Sequence, residues 1–231
     1  MEQLVSIIIP AFNEERYIEK TIESVLNNNY SNFEIIVVCN GCTDKTEQAV
    51  KKFKKFKNVK LSILKHKDAS TARNKGVQLA KGNLLIFLDA DINISKNSIQ
   101  IITDILVKHN IIGTLKAVPD VNKFLPKLLL NLRDFLLFFH LYKTGNGIIF
   151  CRKELFNLVK GFKENLKKHE DGIFVRSAAK LSKFEYVSSS YVIQSMRRHE
   201  KIGYFNVMKY WTKDWLKQKL GKTDKDYPSI R

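Results

Sequence analysis

Leu84-Leu85-Ile86-Phe87-Leu88-Asp89-Ala90-Asp91 sets five apolar residues in a row and then two carboxylates one residue apart. A short unbroken apolar run is the pattern of a strand buried on both faces, as in a parallel sheet covered by helices. Charge is costly inside such a sheet, so Asp89 and Asp91 belong just past the strand end, at the rim. In open α/β sheets that rim is where ligands bind. Two acids held together there repel unless positive charge lies beside them, and a divalent cation carrying a diphosphate would supply it. A solvated turn with Asp91 capping the next helix fits the stretch alone equally well.

Upstream, the chain alternates. Leu4–Ile9 reads as a strand ending at Pro10. Asn13 suits an N-cap, with Glu14 and Glu15 in the first turn, and Ile18, Ile22, Val25 and Leu26 mark one helix face. Phe33–Cys39 is a second strand, and Thr43 or Asp44 starts a second helix. Val59–Leu64 is a third strand, and Ala69–Ala80 a third helix, stopped by Lys81-Gly82. Strands alternating with helices predict a parallel, doubly wound sheet with right-handed crossovers. The loops Pro10–Glu14, Cys39–Asp44 and Asp89–Asp91 then gather on one edge.

Downstream the pattern is less regular. Asn97–His109 reads as a helix and Thr114–Val118 as a short strand. In Phe124–Tyr142, residues Leu128, Leu129, Leu132, Phe135, Leu136, Phe139 and Tyr142 mark one helix face, broadened by Leu130, Leu137, Phe138 and Leu141. Lys127, Arg133, Asp134 and His140 interrupt it, which argues against a bilayer span. Gly145-Asn146-Gly147 precedes a strand, Ile148–Cys151. A helix over Lys153–Val159, a loop to His169, a helix over Asp171–Leu181 and a strand over Tyr186–Ile193 follow. Tyr204–Leu220 is a basic, aromatic amphipathic helix. We divide the chain softly into 1–91, 92–200 and a helical tail at 201–231.

With 231 residues, 44% of them hydrophobic, the chain can form a substantial core. There is no uncharged apolar run of about 18 residues and no signal-peptide pattern, and three cysteines suit a reducing compartment. A cytoplasmic location is expected. Forty Lys+Arg against 23 Asp+Glu leave a net charge of +17, which attracts nucleic acid, anionic lipid or phosphorylated substrates without choosing among them.

Several stretches line up in order: Val5–Asn13 (Val-Ser-Ile-Ile-Ile-Pro-Ala-Phe-Asn), Glu34–Thr46, Ala72-Arg73-Asn74-Lys75-Gly76, Asp89-Ala90-Asp91, Gly161-Phe162, Glu170-Asp171 and Arg197-Arg198. Each is weak alone. Together, over about residues 4–200, the chain resembles the inverting glycosyltransferases of family 2. The resemblance implies a GT-A fold: a single mixed, mostly parallel sheet flanked by helices, Rossmann-like in its first half, with an acceptor-side region and a helical tail. It also implies a single catalytic domain over 1–231 and a nucleotide-sugar donor.

By that resemblance Pro10, Ala11, Phe12, Asn13 and Glu14 contact base and ribose. In the family an acid on the second loop accepts from the base N–H; here the position is Asn40, a departure whose amide oxygen still accepts, without charge. Whether the base is uracil or guanine stays open. Arg73 lies near the nucleotide or braces Asp89. Asp91 ligates Mn²⁺ or Mg²⁺, with Asp89 and Ala90 beside it and Asp89 on the ribose or a metal-bound water. His199 is a further candidate for the metal shell, beside the simpler reading of a packed histidine. Asp171 is the implied general base, with Glu170 orienting the acceptor, and Arg197-Arg198 close over the diphosphate. One base suffices, because metal and cations stabilise the leaving diphosphate.

The acceptor is an unknown hydroxyl or phosphate on a glycan, lipid or protein, with a lipid-linked or cell-surface glycan favoured. Lys51–Lys57, the Phe124–Tyr142 helix and the Trp211/Trp215 helix are read either as core-packed elements or as an anionic membrane surface at the inner face. The charge alone also allows a nucleic-acid- or membrane-binding module, although nucleic acid is disfavoured beside the motif set. A nucleotidyltransferase ranks lower, because Pro10-Ala11-Phe12-Asn13-Glu14 is neither glycine-rich nor basic. Cys39-Asn40-Gly41-Cys42 has redox spacing, but the implied nucleotide contacts compete for the same loop.

Overall fold

A computed structural model describes residues 2–166 and 169–219. Its strands and helices alternate as the apolar runs dictate: β1 (Val5–Ala11), α1 (Ile18–Leu26), β2 (Phe33–Asn40), α2 (Thr46–Lys51), β3 (Val59–Leu64), α3 (Ala69–Leu79) and β4 (Leu84–Leu88). There follow β5 (Ile92–Ile94), α4 (Ser98–Lys108), β6 (Ile111–Pro119), α5 (Phe124–Phe138), β7 (Ile148–Arg152) and α6 (Lys153–Leu158). The remainder is α7 (Glu170–Ala178), β8 (Lys183–Gln194), α8 (Arg197–Ile202) and α9 (Tyr204–Lys219). Leu220, placed in the last helix by its periodicity, and the rest of the tail beyond it lie outside the described residues, as do 167–168 in the loop before His169.

The strands form one sheet in the order β3-β2-β1-β4-β7-β6-β8-β5. β1 pairs with β2 and β4, and β2 with β3, all in parallel. β7 runs antiparallel to β4 and β6, β8 is parallel to β6, and β5 is antiparallel to β8. This is the mixed, mostly parallel sheet predicted. β4 is buried at every position, as its five apolar residues require. Apolar clusters cover both faces, one around Ile7, Ile35 and Ile86, the other around Ile8, Ile36 and Phe87. Alternate residues of the same strands supply the two clusters. α3 crosses β1 closely at Gly76, where a Cβ would stand 2.3 Å from Ile8 Cγ2. That approach explains a glycine in mid-helix.

Element boundaries shift where local chemistry overrides periodicity. β1 runs through Pro10, because its pairing with β4 has ended at Ile8 and a residue without an N–H is tolerated there. Asn13 does not cap a helix. Its φ is +54°, and its side chain bonds Thr43 across the cleft rim, so α1 starts only at Ile18, behind Tyr17. Asp44 accepts from Thr46 N at 2.9 Å in the turn before α2, so that helix starts at Thr46, behind Lys45. β5 and the full length of β8 escaped the sequence reading, because short polar-flanked edge strands carry little periodicity.

On α5 and just past its end the two readings of the apolar face divide: Leu129 and Tyr142 are buried, whereas Leu128, Leu132, Phe135 and Phe139 are exposed, and the interrupting Arg133 and Asp134 are buried. Asp134 accepts from Asn146 Nδ2 at 2.9 Å and from Ala117 N at 3.3 Å. Arg133 donates to Gln194 Oε1 at 2.8 Å and lies over the Trp211 ring. The hydrogen-bonded buried carboxylate, with the guanidinium beside it, sets the rotation of this helix more firmly than its leucine count.

Candidate active site

The ends of β1, β2 and β4 open into a cleft of about 470 Å³. It is lined by Pro10, Phe12, Asn13, Glu14, Asn40, Arg73, Asp89, Ala90 and Asp91, and across from them by Glu170, Asp171, Arg197 and Arg198. The topology produces this gathering, because parallel strands deliver all their following loops to one edge. Ala69 and Lys201 also line the cleft and were not singled out from the sequence. Lys201 sits on α8, whose place at the rim no local pattern announced.

Two expected residues stand elsewhere. Ala11 is fully buried, and its carbonyl accepts from Cys42 Sγ at 3.3 Å, so it supports the loop from behind. His199 is buried with its ring edge-on to Trp211 at 5.8 Å, and it does not line the cleft. Burial, together with the nearby Arg133 and Arg198 charges, lowers its pKa to about 4. It reads as a packed neutral histidine.

The Asp89–Asp91 turn is fixed from both sides. Thr21 Oγ1 of α1 donates to Ala90 O at 2.8 Å, and Asp89 N donates to Gly147 O at 2.9 Å. Asn146, beside Gly147, is the residue that bonds Asp134 of α5. The buried acid of α5 thus anchors the loop behind Asp89. Its isolation among leucines was a sequence signal for this role, since a lone carboxylate in an apolar helix needs a partner.

Arg73, 4% exposed, joins the two sides of the cleft. Its Nη2 lies 2.8 Å from Asp89 Oδ1 and 3.2 Å from Asp171 Oδ1, and its Nη1 lies 3.2 Å from Glu170 Oε1. Three carboxylates around one buried guanidinium hold its proton firmly and raise its pKa. The next residue, Asn74, makes a reciprocal pair with the Phe162 backbone at 2.9 Å in each direction. Gly161 has φ +72°, and a Cβ there would meet Asn74 Oδ1 at 2.8 Å, so glycine is needed twice over. Phe162 stacks on Phe174 of α7, ring centroids 4.1 Å apart. The stretches 73–74, 161–162 and 170–171, far apart in sequence, are thereby one packed unit.

Burial raises the pKa of Asp171 to about 7, with Arg73 opposing and the neighbouring Glu170 and Asp89 reinforcing the shift. Its side chain keeps 27% of its surface at the cleft, and Oδ1 makes no hydrogen bond beyond the ion pair. A carboxylate in that state can accept a proton near neutral pH. Asp89 is also raised, first by burial, with Arg73 pulling it down. Asn40 is buried in the cleft wall, and its Oδ1 has no hydrogen-bond partner. A buried amide oxygen without a partner is an acceptor that a bound N–H would satisfy.

Arg197 occupies the middle of the acid set. Its guanidinium meets both Glu14 oxygens at 2.6 and 2.5 Å, meets Asp91 Oδ2 at 2.9 and 3.2 Å, and lies 4.2 Å from the Tyr17 ring centroid. Burial raises the Glu14 pKa against the pull of this arginine. Among the described residues no three His, Cys, Asp or Glu side chains converge as a cation cage. A magnesium-like cation does not need one, since it takes one or two carboxylates plus phosphate oxygens and water. Asp91 at the mouth of the cleft fits a cation that arrives with a diphosphate.

The profile of the family described as Glycosyl transferase family 2 matches residues 6–169. A glycosyltransferase of Rickettsia bellii is 33% identical over 127 residues, covering 54% of this chain and 18% of the relative. The UDP-Glc:alpha-D-GlcNAc-diphosphoundecaprenol beta-1,3-glucosyltransferase WfgD of Escherichia coli is 34% identical over 110 residues, covering 48% of this chain and 44% of the relative. The chain therefore spans less than half the length of these relatives. Among solved structures, S. aureus TarS 1–349 in complex with UDP-GlcNAc has a TM-score of 0.70 at 23% identity, covering 84% of this chain and 58% of that one. The mannosyltransferase PcManGT of Pyrobaculum calidifontis, in complex with GDP-Man and Mn²⁺, has a TM-score of 0.63 at 19% identity, covering 80% and 54%. Both likenesses are of fold.

Proposed function

This chain belongs to glycosyl transferase family 2 and is a glycosyltransferase, and from that premise we propose an inverting, metal-dependent transfer of a sugar from a UDP- or GDP-sugar to a hydroxyl or phosphate acceptor. The observation that carries the reading is the cleft itself. An unpaired amide oxygen (Asn40), a carboxylate just past β4 (Asp91) and a carboxylate with a raised pKa (Asp171) belong to one cleft.

Pro10, Phe12, Asn13 and Glu14 form the wall for base and ribose, and Asn40 Oδ1 accepts from the base N–H. Asp89, held by Arg73, faces the ribose side. Asp91, with Asp89 beside it, would hold Mn²⁺ or Mg²⁺, which supplies positive charge to the departing diphosphate. Arg197 and Arg198 provide guanidinium forks for the same phosphate oxygens. Asp171 takes the proton of the acceptor hydroxyl as that oxygen bonds to the anomeric carbon. The bond from that carbon to the diphosphate oxygen breaks from the opposite face, and the nucleoside diphosphate leaves. Glu170 and Arg73 hold Asp171 in line. A phosphate acceptor arrives already ionised and leaves Asp171 only an orienting role.

We read the acceptor as a lipid-linked or cell-surface glycan and the chain as cytoplasmic, peripheral to the inner face of a membrane. The diphosphoundecaprenol in the name of WfgD supports the lipid, and the +17 charge supports an anionic surface. Among the described residues no helix is long and apolar enough to cross a membrane. The test is release of nucleoside diphosphate from UDP- and GDP-sugars with Mn²⁺, read with diphosphoundecaprenol-linked and simple sugar acceptors. One donor should turn over, and chelation should stop it. No turnover of any donor with any acceptor would count against the reading.

A further inference from the structure

With Arg133 and Asp134 turned inward, α5 presents Phe124, Leu128, Leu132, Phe135, Phe138 and Phe139 to the outside. The four phenylalanines keep 55–79% of their surface exposed. At 100° per residue these six positions fall within about a third of the helix circumference. Phe139 lies 4.7 Å from the Phe135 ring and 5.2 Å from that of Phe138, so the end of the stripe is a surface aromatic cluster. α9 packs beside α5, with Trp215 Nε1 donating to Leu141 O at 3.1 Å, and carries an exposed phenylalanine of its own, Phe205.

Among the described side chains of α5 and α9, the exposed charges are lysines. The only acid of α5 is the buried Asp134. Lys127 on α5, and Lys209 and Lys213 on α9, are exposed, and Lys209 lies 5.9 Å over the Phe205 ring. Lys123, at the start of α5, is paired with Glu200. A phenylalanine stripe bordered by lysines, on a chain of net charge +17, complements a surface with an apolar interior and an anionic face.

We propose that the outward stripe of α5 docks on an anionic lipid bilayer. The inference deepens the reading of a membrane-delivered acceptor and rests on it for its purpose, though not for its test. α8 carries Arg197, Arg198 and Lys201 of the cleft and passes directly into α9, which packs on α5. Docking through α5 therefore reaches the cleft by way of α9 and α8.

The test is co-sedimentation of the full chain with vesicles of mixed phosphatidylglycerol and phosphatidylcholine, against phosphatidylcholine alone. Wild type should partition onto the anionic vesicles, and added salt should weaken that binding. The triple variant Phe135→Ser, Phe138→Ser, Phe139→Ser should bind roughly tenfold more weakly, and Lys127→Glu with Lys209→Glu should lose the preference for anionic lipid. All these side chains are exposed, so folding is checked by an unchanged thermal midpoint, and the stabilisation by UDP or GDP with Mn²⁺ should not change. Wild type left in the supernatant with both vesicle types would overturn the proposal. So would undiminished binding by the triple variant, or a wild-type dimer that the triple variant converts to monomer without any vesicle binding. Nucleotide stabilisation without vesicle binding sinks the docking surface alone, and vesicle binding without nucleotide stabilisation sinks the catalytic reading alone.

Discussion

Arg197→Ala should change metal and nucleotide binding in opposite directions. The guanidinium stands against Asp91 and Glu14, so a cation approaching Asp91 alone must compete with it. Hydrogen bonds between charged groups contribute about 1.5–3 kcal/mol when desolvated. The Arg197 side chain is 33% exposed, and solvent reduces that figure. About 1–2 kcal/mol remains for the contact with Asp91, or roughly a five- to thirtyfold factor. Removing the arginine should tighten binding of Mn²⁺ alone by that factor. It should weaken UDP or GDP binding in the presence of Mn²⁺ by a comparable factor, because the diphosphate loses one fork. Mn²⁺ titration followed by electron paramagnetic resonance reads the first effect, and calorimetry with nucleotide reads the second. If both affinities move together, or neither moves, Arg197 is not competing for Asp91 and the assignment of that carboxylate to the cation fails.

Asp171→Asn should keep nucleotide binding and lower transfer by roughly 10²–10⁴-fold; because the base must be ionised and its pKa lies near 7, the wild-type rate to a hydroxyl acceptor should rise with pH through neutrality and then level. A pH–rate profile measured on both proteins checks the assignment, and an unchanged profile in the variant removes Asp171 from the role. Arg73→Met strands Asp89, Glu170 and Asp171 without their shared cation, and removing one partner of a buried ion pair costs about 3–5 kcal/mol. Denaturant unfolding should report that loss, with Arg73→Lys recovering only part of it because an ammonium lacks the fork. Asn40→Leu should weaken nucleotide binding by roughly tenfold, about the loss of one buried hydrogen bond, while leaving binding of Mn²⁺ alone untouched; calorimetry on the two ligands separates these outcomes.

The sheet was legible because each parallel strand needs an apolar run and each crossover a helix, so β3 falls at Val59–Leu64, as its pattern predicts. The rim was legible for the same reason: residues at or just past the ends of buried strands, Asn40 and Asp89 among them, have nowhere else to go. What periodicity could not supply was the set of partners. Asn13 suits a cap in isolation, but Thr43 across the rim claims its side chain. Ala11 sits inside a contiguous motif, yet strand alternation turns it into the core. His199 neighbours two cleft arginines and still faces Trp211, because a helix turns each successive side chain by about 100°. The rotation of α5 was decided by Asp134 reaching Asn146 in the loop before β7, a contact that a leucine pattern does not encode. For Asn13 and Asp134 a polar pairing beyond the local element outweighed a local preference.

The most direct measurement is the thermal midpoint of the wild-type chain and of Asp91→Asn with Mn²⁺ and UDP, GDP or their sugars. A nucleoside diphosphate or its sugar should raise the wild-type midpoint only when Mn²⁺ is present, and Asp91→Asn should abolish the rise. No rise with any nucleotide, or a rise that Asp91→Asn retains in full, would contradict the assignment of this cleft to a metal-bound nucleotide-sugar.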